Sequence, residues 1–90
     1  MNLTDHVAIP SQVMVREVGD ETVILDLASG TYYGLDAVGA RIWGWIAEGR
    51  SLLQICEGML AEYEVTRTDI ERDVLALARA LLENQLIRIR

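Results

Sequence analysis

Ninety residues with eight arginines, no lysine and fourteen aspartates or glutamates leave a formal charge of −6. A chain this short buries only about 60 to 65% of the surface its unfolded form exposes, so it supports a single hydrophobic core and excludes a second independent domain. The acidic balance weighs against nucleic-acid binding, which gains affinity by neutralising phosphates, and an apolar content of 51% excludes a disordered chain.

Residues 1–12 mix polar and apolar positions without a period, and Pro10 holds Ile9 extended, so the expectation is one domain spanning residues 1–90 whose residues 1–12 form a flexible amino-terminal arm. The start lacks the basic and apolar stretches of a secretory signal. No uninterrupted apolar run approaches the ~18 residues that span a bilayer, so the expectation is a cytoplasmic protein with no membrane partner. Val13 to Val18 is a β-rich run stopped by Gly19-Asp20-Glu21. Thr22 to Leu27 alternates in twos, with Val23, Leu25 and Leu27 on one face and Thr22, Ile24 and Asp26 on the other. Ala28-Ser29-Gly30 reverses the chain into the aromatic run Thr31 to Leu35, which completes a three-strand meander.

The period then changes to that of a helix. Asp36 caps a helix starting at Ala37, with Val38, Ile42, Trp43 and Ile46 along one stripe and Gly49 at its end. Gly39, costly in a helix, implies close approach of another backbone or of the Trp43 or Tyr33 ring. Ser51 with Gln54 forms a capping box for a second helix whose apolar face is Leu52, Ile55, Cys56, Met59 and Leu60, fading near Tyr63. A third helix is capped by Thr66 or by Thr68, carries the stripe Ile70, Val74, Leu77, Ala78, Leu81 and Leu82, and closes at Asn84-Gln85. Leu86 to Arg90 reads as an extended tail. Three amphipathic helices covering the apolar face of a meander make one α+β core.

Catalytic chemistry finds few residues to use. His6 is the only imidazole and precedes the core, and Cys56 lies on a buried stripe as a small hydrophobe. No metal site, cofactor or catalytic residue is assigned. Asp69 with Asp73, and Glu17 with Glu21, are four apart but read as solvent-facing charges, and no glycine-rich loop ends in Lys-Ser or Lys-Thr. The chain is therefore read as a non-enzyme that binds through its backbone. In a meander, the strand from Thr31 through Tyr32, Tyr33 and Gly34 to Leu35 lies at an edge, where an extended peptide can add as a further strand. One tyrosine is expected in the sheet–helix core and the other outside. The neighbouring wall is the third helix, where Val74, Leu77, Ala78 and Leu81 line an apolar groove whose margin Arg72, Asp73 and Arg79 frame.

The ordered elements Val23-Ile24-Leu25-Asp26-Leu27, Gly30-Thr31-Tyr32-Tyr33-Gly34-Leu35-Asp36 and Val38-Gly39-Ala40-Arg41-Ile42-Trp43 resemble the PqqD-like family. Glu48 to Ser51, Ile55 to Tyr63, Asp73-Val74, Leu77, Leu81 and Leu86-Ile87 continue the likeness. These are small recognition domains for ribosomally synthesised, modified peptides. The resemblance implies a winged-helix-like fold, with the leader of a precursor peptide lying along the third strand, on Thr31, Tyr32, Tyr33, Gly34 and Leu35, beside the third helix around Asp73, Val74, Leu77 and Leu81. Asp26 to Gly30 lacks the proline-glutamate pair of the branch making pyrroloquinoline quinone. The Gly30 to Trp43 stretch is more similar to the stand-alone proteins of lasso-peptide clusters, which implies a cysteine-protease-like leader peptidase or another modifying enzyme as partner. A PqqD-like chaperone for a radical SAM enzyme, or a protein-binding or oligomerisation module, are the alternatives.

Overall fold

The computed structural model describes residues 1–90. Eight elements follow in chain order: β1 (Val7–Ala8), β2 (Val13–Val18), β3 (Glu21–Asp26), β4 (Tyr32–Leu35), α1 (Ala37–Ala47), α2 (Leu52–Glu62), α3 (Arg67–Glu83) and β5 (Arg88–Ile89). The expected antiparallel meander is β2-β3-β4, and three helices follow it, as an α+β fold requires. The expected order has two additions, since β1 and β5 pair antiparallel as a separate two-stranded sheet.

Local chemistry explains the boundaries. Gly30 at φ 76° closes the β3–β4 reversal, where its amide donates to the Asp26 carbonyl while the Asp26 amide donates to the Thr31 carbonyl at 2.8 Å. Asp36 Oδ1 accepts from the Gly39 amide at 2.7 Å and starts α1. Ser51 and Gln54 exchange both bonds of a capping box at the start of α2. Thr66, rather than Thr68, caps α3 by accepting from the Asp69 amide.

Sheet and helices bury one cluster of 18 apolar residues. The core face of β3 is that of Ile24, fully buried, whereas Val23 and Leu25 are half-buried and Leu27 is exposed on the outer side. Asp26 sits on the core face because it anchors the hairpin, its Oδ1 accepting from the Ala28 amide at 2.9 Å. Helix α1 is buried on two sides. Ile42, Trp43 and Ile46 form the expected stripe, and Trp45 packs on α2 so closely that a Cβ at Gly58 would lie 2.8 Å from its ring. The close contact at Gly39 is not with Trp43 or Tyr33. A Cβ there would meet Leu35 Cδ2 at 3.1 Å and the capping Asp36 carboxylate at 3.2 Å.

The first twelve residues lie on the fold. Val7 is buried in the core, Met1, Leu3 and Ile9 pack against it, and the amides of Leu53, Leu52 and Arg90 donate to the carbonyls of Leu3, Asp5 and His6. The tail is held from the other side, with Leu86 and Ile87 buried ahead of β5. No helix is long and apolar enough to cross a membrane.

Candidate peptide-binding groove

Strand β4 pairs only with β3, in the register Leu25 with Tyr32, Ile24 with Tyr33, Val23 with Gly34 and Thr22 with Leu35. Antiparallel pairing turns alternate residues towards the partner, and the Asp26–Thr31 bond fixes which ones. Tyr33 and Leu35 direct their backbone groups at β3, as does the Thr31 carbonyl, while the Thr31 amide donates to Ser29 Oγ at 3.2 Å. The amide and carbonyl groups of Tyr32 and Gly34 consequently line the open edge.

The side chains follow the opposite logic. Tyr33 and Leu35 point to the helix side, Tyr33 half-buried against the core and Leu35 buried, while Tyr32 is 73% exposed on the outer face. The two tyrosines thus divide between core and surface. A Cβ at Gly34 would meet no atom within 4 Å, so the outer face of the sheet is open at that point.

Between β4 and α3 lies a groove of about 320 Å³ lined by Tyr33, Gly34, Leu35, Asp36, Val38, Gly39, Ile42, Asp73 and Leu77. Of the nine residues expected at a binding site, Tyr33, Gly34, Leu35, Asp73 and Leu77 come together here. Tyr32 continues the strand beyond the lining, and Thr31 lies just ahead of it. Val74 and Leu81 correct the expected wall: both are fully buried and support it from the core. Helix geometry is the reason, since Ile70, Val74, Ala78 and Leu81 share the core stripe and Asp73 and Leu77 fall at its margin. Arg72 does not line the groove; it spans Asp69 at 3.3 Å and Asp73 at 3.4 Å. Arg79 is likewise outside the lining.

Val38, Gly39 and Ile42 of α1, with Asp36, were not anticipated as lining residues. The signal was present in the i, i+4 pair Val38 and Ile42, whose amino-terminal member is 40% exposed because the stripe runs past the core into the groove.

Electrostatics elsewhere are structural. The Arg41 guanidinium bonds Glu62 at 2.6 and 3.1 Å and holds that carboxyl below its usual range, while Arg41 also lies 4.3 Å from the Trp45 ring centre. Burial pushes the Cys56 thiol up, which leaves it protonated and unreactive near neutrality. No group of three or more His, Cys, Asp or Glu side chains is arranged to hold a metal ion.

A third meander strand with one unpaired edge, beside an apolar-floored groove, defines a small α+β domain with room for an extended chain along that edge. The chain belongs to the PqqD family: the profile described as Coenzyme PQQ synthesis protein D (PqqD) matches residues 21–87. Two solved structures are similar throughout. One is TbiB1 in complex with the TbiA(beta) leader peptide, 42% identical over 89% of this chain and 93% of that one, with a TM-score of 0.82. The other is a lasso peptide synthetase B1 complexed with the leader peptide, 32% identical over 92% of this chain and 98% of that one, with a TM-score of 0.85. No curated protein matches the chain.

Proposed function

We propose that this protein binds the leader segment of a ribosomally synthesised precursor peptide as a fourth strand on β4 and presents it to the leader peptidase of a lasso-peptide pathway. The observation that carries the reading is the free edge of β4 beside the groove, in a chain 42% identical to a protein solved with a leader peptide bound. The leader's backbone bonds to Tyr32 and Gly34, and its alternate side chains fall into the groove against Tyr33, Leu35 and Leu77. Thr31, its backbone taken up by Asp26 and Ser29, meets the peptide through its side chain, and Asp73 borders the peptide from α3. Val74 and Leu81 hold that wall in place from beneath.

The chemistry is scaffolding. Holding the leader while the processing enzyme engages the same assembly raises the local concentration of the cleavage site and orients it, with no catalytic group, cofactor or metal supplied by this chain.

A calorimetric titration with the TbiA(beta) leader, beside a scrambled peptide of the same composition, tests the reading without ATP or metal. The leader is expected to bind at least about tenfold more tightly, a difference near 1.4 kcal/mol. Amide exchange is expected to slow at Tyr32 and Gly34 on binding. Equal affinity for both peptides, or protection confined to another surface, sinks it.

A further inference from the structure

We infer that the peptide site selects a cationic side chain at the Leu35–Asp36 end of β4, with Asp73 and Glu21 as the specificity-determining residues. The inference rests on the reading that a peptide adds to this edge, and it names the chemistry that the peptide must carry there.

The groove combines two properties. Its floor is apolar, formed by Tyr33, Leu35, Val38, Ile42 and Leu77, and its only charged lining residues are the carboxylates Asp36 and Asp73. A second hollow, about 470 Å³, continues from it around the strand end, sharing Gly34, Leu35 and Asp36 and adding Asp20, Glu21 and Ala37. That hollow also contains no cation. The strand register puts Glu21 on the outer face of the sheet, the side of Tyr32, whereas Asp73 stands on the helix side. A chain running along the edge past Gly34 therefore meets carboxylates on both faces.

The arginines of the neighbouring elements offset this charge only in part. Arg72 is shared between Asp69 and Asp73 on an exposed face of α3, where a solvated pair is weak, and Arg16, a diagonal neighbour of Glu21 on the outer face, makes no ion pair with it. Asp36 commits Oδ1 to the Gly39 amide and Asp73 commits Oδ1 to an exposed pair with Arg72, so each keeps its second oxygen, and Asp73 is the one standing on the α3 wall across from the strand. An apolar floor with an acidic rim matches lysine or arginine, whose methylene stem lies on apolar surface while the charged head stays at the wet margin. The chain's net charge of −6 draws a basic peptide towards the protein before contact.

A strand offers its side chains alternately to the two faces, so two adjacent peptide positions are expected to respond to different carboxylates. The test is a scan of the TbiA(beta) leader in which each position in turn becomes Lys or Glu, titrated against the parent protein, Asp73→Asn and Glu21→Gln. Lys is expected to bind about fivefold more tightly than Glu at one position, an advantage lost in Asp73→Asn and largely screened at about 0.5 M salt. The neighbouring position is expected to lose its Lys preference in Glu21→Gln and keep it in Asp73→Asn. Both carboxylates are exposed, and unchanged melting temperatures confirm that the variants fold. Leader binding with no position preferring Lys, or a preference that survives both substitutions, overturns the inference while leaving the leader reading intact. Failure of every peptide in the scan to bind overturns both.

Discussion

Tyr32 and Tyr33 are neighbours in sequence and opposites in the fold. Tyr32 is 73% exposed on the outer face, so Tyr32→Ala removes little buried surface and is expected to leave stability within about 0.5 kcal/mol. It still borders the edge, and losing one cross-strand contact is expected to weaken leader binding by about two- to fivefold, equivalent to 0.4 to 1 kcal/mol. Tyr33 is half-buried, packs on the core and lines the groove, so Tyr33→Ala is expected to lower stability by about 2 kcal/mol and to weaken binding further. Urea denaturation beside peptide titration separates the two effects. A Tyr32→Ala protein that unfolds easily, or a Tyr33→Ala protein as stable as the parent, contradicts the assignment of faces. Alternation alone shows that the two rings diverge, but not which one goes inside. That choice depends on which face of β3 the helices cover, a long-range fact.

Helix starts were legible because caps act within four residues. Asp36, Ser51 with Gln54, and Thr66 each make the bond that their spacing implies. Faces were less legible. Val23, Leu25 and Leu27 look like a core stripe, yet Ile24 is the buried residue and Asp26 lies beside it, since a carboxylate bonded to its own loop can occupy a core face. Trp45 stood outside the single stripe expected of α1 because that helix touches neighbours on more than one side. Part of the groove was hidden for the same reason, as Val38 and Ile42 line it from α1 while Val74 and Leu81 retreat into the core. The caps can be tested apart from the site. Ser51→Ala leaves the Gln54 amide without its acceptor at the start of α2 and is expected to cost about 1 kcal/mol. Thermal unfolding measures the loss, and leader affinity should not change, because Ser51 is absent from the groove lining. A large loss of affinity without loss of stability would place α2 in the site.

At the scale of the whole molecule, the two ends of the chain complete each other. Residues 1–12 show no period, and a two-residue strand leaves almost no pattern to read, so its partner β5 at the far end of the chain could not be anticipated from either segment alone. What holds the amino-terminal segment is a set of long-range contacts: Val7 inside the core, and three backbone acceptors serving the Leu52, Leu53 and Arg90 amides. The Leu52 and Leu53 amides belong to the first turn of α2, which has no intrahelical acceptors for them, so the segment also finishes that helix. Deleting residues 1–9 therefore removes core volume, exposes helix amides and leaves β5 unpaired at once. The expected loss is about 3 to 5 kcal/mol, against about 2 kcal/mol for Val7→Ala, which keeps the backbone bonds. Urea denaturation checks both proteins. The urea dependence of unfolding should also be shallower for the deletion, because less surface is exposed when it unfolds. A deletion protein as stable as the parent would show that these contacts contribute nothing and that the segment is an arm in solution.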